Sequence, residues 1–399
     1  MKVILRFIKR FVLIMLVMLL GMLAMFYLLA PVYEFSGPVP FAGSQLYNPY
    51  AHMHADQWKK YNFQVQSKAW MGITSGRENT NELIDSIYSE LHFDHVATSD
   101  YQKINTYTNN AEAYIPTYEH GYNLFKTHQV CIDSKKVLWT DLIFWQSLSM
   151  KQWILDLLQE DTRYVVLAHP RLRNGYTLDE MKYLTNYQGM EVLNNLRISA
   201  EHWDEALSSG QVVWIIGNDD AHDVQNSNEV GRRFTMINSP TINREDIMLA
   251  LERGDAIGVD FFRIDDEPMT DKYLRSKVIP VLQEASLSGD TLTVSTDSVA
   301  VEIRFIGQHG KILHTKAFSS TERYVIPQTE PYVRTEIEFP DHSVFYLNPI
   351  IRYDGASLVT KKTATVDASA TLKLRILYFV VALVLAYLAQ RYYSRKRKH

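Results

Sequence analysis

Five short segments of this chain end an apolar run in a side chain that can ligate a metal: His52-Met53-His54, Ser99-Asp100, Tyr118-Glu119, Ala168-His169-Pro170 and Asp220-Ala221-His222. A metal site needs several nitrogen and oxygen ligands converging on one point, and strands that end at a common rim deliver such ligands one set per strand. Side chains two apart on an extended strand share a face, so His52 and His54 can meet one ion, as can Asp220 and His222. Asp100 and His169 each follow a valine-containing run. Glu119 and His128 are spaced so that a strand, a turn and a second strand bring them together. Taken singly, each residue also reads as a solvated turn residue; the recurrence is what argues for a site.

The elements that must position these residues fall into two textures. From about residue 47 to 264, short apolar runs alternate with helical patterns, as in Val165 to Ala168 followed by Thr177-Leu178-Asp179-Glu180, a capping box that opens a helix. From 265 to 356 the period changes to two, with Val301, Ile303 and Phe305 set against Glu302 and Arg304, which predicts a small β-sandwich-like domain. Asp265-Asp266-Glu267-Pro268 interrupts both patterns and marks the joint, and residues 31–46 and 357–371 read as linkers.

Composition sets outer bounds. The 399 residues, 46% hydrophobic and 22% charged, describe a folded protein rather than low-complexity chain. A net charge of −4 gives no basic face for phosphate backbones, so no nucleic-acid partner is expected. The single Cys131 forbids an intrachain disulfide. Phe11 to Ala30 carries no charge and follows Lys2, Arg6, Lys9 and Arg10, which predicts an uncleaved transmembrane signal anchor over 11–30 rather than a cleaved leader. A second span is expected over 372–390; because Ile376 to Ala389 is short for a crossing, the alternative is an interfacial helix. The basic stretches 1–10 and 391–399 would both be cytoplasmic under the positive-inside rule, leaving the rest of the protein outside the cytoplasm.

The order His-x-His, Asp, Glu, His, His-Pro, Asp-x-His over roughly Tyr47 to Asp260 resembles the PHP (polymerase and histidinol phosphatase) metallohydrolases. Trp203 to Gly210 followed by Gly217 to His222 is also similar to a PHP-like branch that includes carbamate hydrolases. The resemblance implies a distorted (β/α)7 barrel with divalent metals (Zn, Mn or Fe) at its C-terminal mouth, and phosphoester hydrolysis as the activity. Carried over by position, His52, His54 and Asp220 would hold one ion, Glu119 would bridge, and His128 with His169 would hold a second; His222 joins the ligand set. Two departures imply a dinuclear rather than trinuclear site: Tyr101 stands where the family has a histidine after Asp100, and Thr74-Ser75-Gly76 lacks the family's aspartate before the glycine.

Such a pair of cations would hold a bridging hydroxide as nucleophile and neutralise a phosphoryl group. Asp100 and Tyr101 are the expected catalytic side chains at the mouth, with Tyr101 donating to a leaving oxygen. Arg171 and Arg173 are candidate phosphate clamps, since a guanidinium matches two phosphate oxygens. Asn194 and Asn195 are expected to line the same mouth, with Glu191 behind them. The expectation is a membrane-anchored metal-dependent phosphoesterase acting on a small or lipid-linked phosphate. An amide or carbamate hydrolase on the same metals, or a non-catalytic metal- or ligand-binding module, are the alternatives.

Overall fold

The computed structural model describes residues 2–396 other than Thr74, Ser75 and Arg77, so the Thr74-Ser75 departure and the tail residues 397–399 lie outside the described residues. The chain opens with α1 (Lys2–Leu29) and the short strands β1 (Tyr33–Phe35) and β2 (Gln45–Tyr47). Then come β3 (Trp58–Val65), α2 (Asn81–Glu90), β4 (His95–Thr98), β5 (Thr117–His120), β6 (Gln129–Ser134) and α3 (Leu148–Gln159). The order continues through β7 (Thr162–Leu167), α4 (Leu178–Met181), β8 (Gly189–Asn194), α5 (Ala200–Ser208), β9 (Trp214–Asn218), β10 (Arg233–Asn238), α6 (Arg244–Arg253), β11 (Ala256–Asp260) and α7 (Met269–Arg275). Strands β12 (Leu282–Ser288), β13 (Thr291–Ile306), β14 (Ile312–Val325), β15 (Tyr332–Glu338), β16 (Val344–Tyr353) and β17 (Ala364–Val366) precede α8 (Ala368–Lys396).

Local chemistry sets the helix starts. Thr80, Ser147 and Asn243 each accept a backbone N–H of the first turn of α2, α3 and α6. The capping box at Thr177 and Glu180 is formed, although the helix it opens is a single turn. Gly254 closes α6 with φ 80°, where a side chain would also run into the Trp214 ring.

Two sheets carry the fold. A five-stranded sheet in the order β5-β6-β7-β8-β9 is antiparallel through β7 and parallel thereafter. Its strands are buried almost throughout, polar residues such as Glu119, Asp133 and Glu191 included. The second sheet runs β12-β13-β15-β16-β11-β10-β3-β4, with β14 on β13 and β2 on β16. The described residues form no closed barrel, contrary to the (β/α)7 expectation. Helices separate only some of the strands, and the antiparallel β5-β6-β7 run breaks the β–α repeat that all-parallel closure requires. The sheets meet instead through isolated parallel bridges, Val65 with Ala221 and Tyr101 with Glu119.

The period-two region does not stand apart as a sandwich. Strand β16 pairs with β11 from Ile257–Leu347 to Asp260–Val344, so the β-rich part extends the sheet of the α/β part and covers an edge that β11 would otherwise expose. A buried ion pair adds a second tie: Arg334 on β15 donates from Nε and Nη2 to Asp204 on α5, at 2.6 and 2.8 Å, with its guanidinium 5.2 Å from the centre of the Trp203 ring.

Ile4–Leu29 and Ala368–Tyr392 are long and apolar enough to cross a membrane by length and composition. Helix α8 begins well before Ile376, which lengthens the short apolar run that the sequence offered. The two helices emerge side by side, because β1 pairs antiparallel with β17 and Val32 N–H donates to Thr371 Oγ1 at 3.0 Å. Arg375 donates to the Leu29 carbonyl at 3.1 Å, satisfying an otherwise free acceptor at the end of α1.

Removing one partner of a buried pair strands the other charge, so Arg334→Ala is expected to lower unfolding free energy by about 3–5 kcal/mol. The joint change Arg334→Leu with Asp204→Leu should cost clearly less. Urea titration of the detergent-solubilised chain compares the two, and equal losses would remove the ion pair as the cause.

Candidate metal centre

Three side chains converge where β5, β6 and β7 lie side by side. Glu119 sits on β5, His128 directly precedes β6, and His169 lies just past the end of β7; all are fully buried. One ligand atom from each lies within 4.8 Å of the others, a grouping that can hold a metal ion. Glu119 Oε1 is 2.6 Å from His128 Nδ1 and 3.5 Å from His169 Nε2, while Oε2 accepts from Gln66 Nε2 at 2.7 Å. His128 Nε2, His169 Nδ1 and Asp220 Oδ1 are buried with no hydrogen-bond partner among the described residues. Buried polar atoms are rarely left so, and a cation with ligand-accepting geometry satisfies the donor set present. The backbone agrees: His169 has φ 31° and Asp220 φ 49°, left-handed values that cost energy for residues with a side chain and recur at functional sites.

Behind this group stands a ring of amides and carboxyls. Glu191 Oε2 accepts the His169 backbone N–H at 2.8 Å and Asn194 Nδ2 at 3.0 Å, and its Oε1 accepts Asn218 Nδ2 at 2.9 Å. Asn194 Nδ2 also donates to Asp220 Oδ2 at 3.1 Å. Burial would raise the Glu119 carboxyl, but the charges and hydrogen bonds of His128 and His169 outweigh it and hold Glu119 ionised far below the usual carboxylate range. Burial likewise works against a charged His169, yet its contact with Glu119 and the charge of Asp220 lift it to about 9. Burial lowers His128. Glu191 is pushed up to about 8 by burial, opposed by His169 and reinforced by Asp220. Asp220 is raised by burial and then by Glu119.

The other expected residues divide. His52 and His54 do not join the cluster. They are exposed in the turn before β3, where His54 pairs its backbone with the Asn238 amide at 3.0 and 2.7 Å. Asn238 lies opposite Trp58, the first residue of β3, whereas the other end of that strand, Val65, bridges to Ala221. Eight residues of strand, about 25 Å, therefore separate the histidine turn from the Asp220 segment. Gln64 and Gln66 occupy the strand end that His-x-His was expected to fill; both are fully buried, and Gln66 N–H donates to the Ala221 carbonyl at 3.0 Å. Alternating polar residues in the apolar run Phe63-Gln64-Val65-Gln66 are the one sequence signal that could have located this position.

Asp100 is buried but spoken for. Its oxygens accept Ser67 N–H and Oγ at 2.8 Å each and Asn105 Nδ2 at 3.1 Å, so it fixes loops rather than facing a substrate. Tyr101 is at the cluster: its ring lies 5.5 Å from that of His128, and its hydroxyl approaches Glu119. His222 is half exposed, with Nε2 3.8 Å from Asp220 Oδ1. Arg173 turns away to the Leu124 carbonyl at 3.4 Å. Arg171 instead lines a cavity of about 660 Å³ together with Asn195, Arg197, Arg232, Arg233, Arg263 and Glu229. Arg233 pairs with Asp260 and Arg263 with Asp265, whereas Arg171, Arg197 and Arg232 have no ion pair among the described residues. Burial and then the charges of Arg233 and Arg263 lower the Arg232 guanidinium, and its Nε is buried without a partner. This cavity shares the Asn194-Asn195 corner with the metal group: Arg233 donates to the Asn194 carbonyl and Arg232 to Asn195.

No protein-family model and no curated protein matches the chain. Among solved structures, a two-domain protein from Bacteroides vulgatus ATCC 8482, described as containing a predicted PHP-like metal-dependent phosphoesterase, is similar to it. That similarity covers 78% of this chain and 100% of the other at 12% identity, with a TM-score of 0.38.

A metal must displace the proton from His169 before binding. With that imidazole near 9, the affinity of the metal-stripped protein for Zn²⁺ is expected to rise about tenfold per pH unit from neutrality and level off above about pH 9, releasing about one proton per ion. Calorimetry in buffers of different ionisation enthalpy measures both quantities, and an affinity flat between pH 7 and 9 would exclude a protonated His169 as ligand.

Proposed function

We propose that this protein is a membrane-anchored metal-dependent hydrolase acting on a phosphate ester. The observation that carries the reading is the buried Glu119, His128 and His169 group beside the unpartnered Asp220 Oδ1. The expected dinuclear set is reduced here: with Gln64 and Gln66 in place of two imidazoles, a second ion is left with Asp220, the half-exposed His222 and neutral amide oxygens, so one divalent ion held by Glu119, His128 and His169 is proposed. Bound there, a divalent cation supplies Lewis acidity and makes water a competent nucleophile near neutral pH. The free oxygen of Asp220 is placed to accept the proton of the attacking water. Tyr101, beside Glu119, is placed to donate to the departing oxygen. The arginine cavity supports phosphate over carbamate, because a neutral ester gives three unpaired guanidinium groups nothing to bind.

The membrane reading rests on α1 and α8. The basic residues outside the apolar stretches favour, by the positive-inside rule, a reading with both termini cytoplasmic and the hydrolase region outside the cytoplasm.

The test uses the full chain in lipid nanodiscs with Mn²⁺ or Zn²⁺, assayed against aryl phosphate monoesters, diesters and aryl carbamates. Phosphate turnover is expected, falling about a hundredfold or more in His128→Ala. Arg232→Ala should raise KM about tenfold with kcat little changed, the loss of one charge-assisted contact. Carbamate turnover that ignores Arg232→Ala would replace the phosphate reading. The glutamines favour a second reading, a non-catalytic metal-binding module; tight binding of metal with every substrate silent would establish it.

A further inference from the structure

On the Tyr101 side of the metal group, large apolar side chains stand in solvent: Trp70, Leu124, Phe125, Trp139, Phe144 and Trp145. Single exposed hydrophobes are ordinary, but Trp70, Leu124, Trp139 and Phe144 belong to segments linked to one another and to both the apolar helix and the site. Phe144 N–H donates to the hydroxyl of Tyr27, in the last turn of α1, at 2.8 Å. Leu124 N–H donates to the Ile143 carbonyl at 2.9 Å, and Tyr122 donates from its hydroxyl to the Trp139 carbonyl at 3.1 Å. Trp139 meets the Trp70 ring edge-on at 6.2 Å, and Trp70 Nε1 donates to the Tyr101 carbonyl at 2.8 Å. Tyr101 in turn packs on His128. A path of direct contacts thus runs from the end of α1 across the apolar loops to the proposed ligands.

We infer that this collar is seated in the headgroup region of the bilayer that holds α1 and α8, and that the metal group opens onto the membrane surface to take the phosphate of a lipid. The inference rests on the proposed hydrolase and on the membrane reading of the two helices. Three features fix the occupant as the bilayer. Tyr27 belongs to the apolar helix itself, so the loop it binds lies at the level where that helix leaves the hydrocarbon. Tryptophan with a polar edge and an apolar body suits that interface, and Trp139 and Trp145 are 58% and 65% exposed. Lys126, between the collar and the site, holds its ammonium 5.6 Å from the Tyr101 ring centre, where a lipid phosphate would pass.

The seven tryptophans make this measurable, because none lies in α1 or α8 and Trp203 and Trp214 are buried in the core. Full-length protein in nanodiscs of phosphatidylcholine brominated on its acyl chains is expected to lose a substantial share of tryptophan emission relative to unbrominated discs. Trp139→Phe and Trp145→Phe, which keep an apolar ring, should each remove part of the quenchable signal. Emission indifferent to bromine, or quenching unchanged in both variants, would overturn the inference. A stable dimer that buries the collar away from lipid would do so as well. Phe144→Glu should raise KM for a vesicle-embedded phosphatidate at least several-fold and leave hydrolysis of a soluble aryl phosphate unchanged; equal effects on both would also count against it. Quenching needs no turnover, so quenching without hydrolysis sinks the proposed activity alone, and hydrolysis without quenching sinks the collar alone.

Discussion

The arrangement depends on one burial: a carboxylate, Glu119, taken wholly out of water where two sheets meet. An ionised carboxylate in that setting must be matched by positive charge and hydrogen bonds or be protonated. Two imidazoles and a glutamine amide match it, and each comes from a different segment: His128 before β6, His169 after β7, and Gln66 after β3. The site's capacity for a cation follows from keeping that carboxylate charged. Glu191, one layer behind, is raised by burial and accepts N–H donors from His169, Asn194 and Asn218.

The same meeting point organises the fold. The antiparallel β5-β6-β7 run breaks the β–α repeat of an all-parallel barrel, and among the described residues the two sheets are joined by isolated bridges at the site and by side-chain bonds such as Phe63 N–H to Asn218 Oδ1 and Gly217 N–H to Thr235 Oγ1. The polar ends of β3, β4 and β9 therefore gather there. On the far side, β11 passes its edge to β16, so the β-rich part is bound into the same sheet and further fixed by the buried Arg334–Asp204 pair. Terminal strands β1 and β17 hold the end of α1 and the start of α8 together, so one end of the molecule carries both.

Much of the site could be read from the chain because ligand-type residues at the ends of apolar runs are unusual. Glu119, His128, His169 and Asp220 stood out in this way, and three of them meet. His52 and His54 misled for a physical reason: the pattern His-x-His carries no statement of whether a strand is ending or about to begin, and here it begins. Gln64 and Gln66 escaped notice since amides are weak ligands and glutamine in a strand is unexceptional. Arg232 and Arg233 were hidden because their partners, Asn194 and Asn195, lie some forty positions earlier. Asp100 looked catalytic from its position, yet Ser67 and Asn105 take up its acceptors.

By itself the sequence determined what periodicity and composition can encode: two apolar terminal helices, an α/β part followed by alternating strands, and a set of residues chemically able to hold a metal. Those are local properties, fixed by side-chain type and spacing along a few turns of backbone. Tertiary structure decided which strand end faces which, and so chose glutamines over histidines at β3, joined the β-rich region to the main sheet, and collected five arginines into one cavity. Such outcomes depend on contacts between segments far apart in the chain, whose energies arise only when burial brings the groups together.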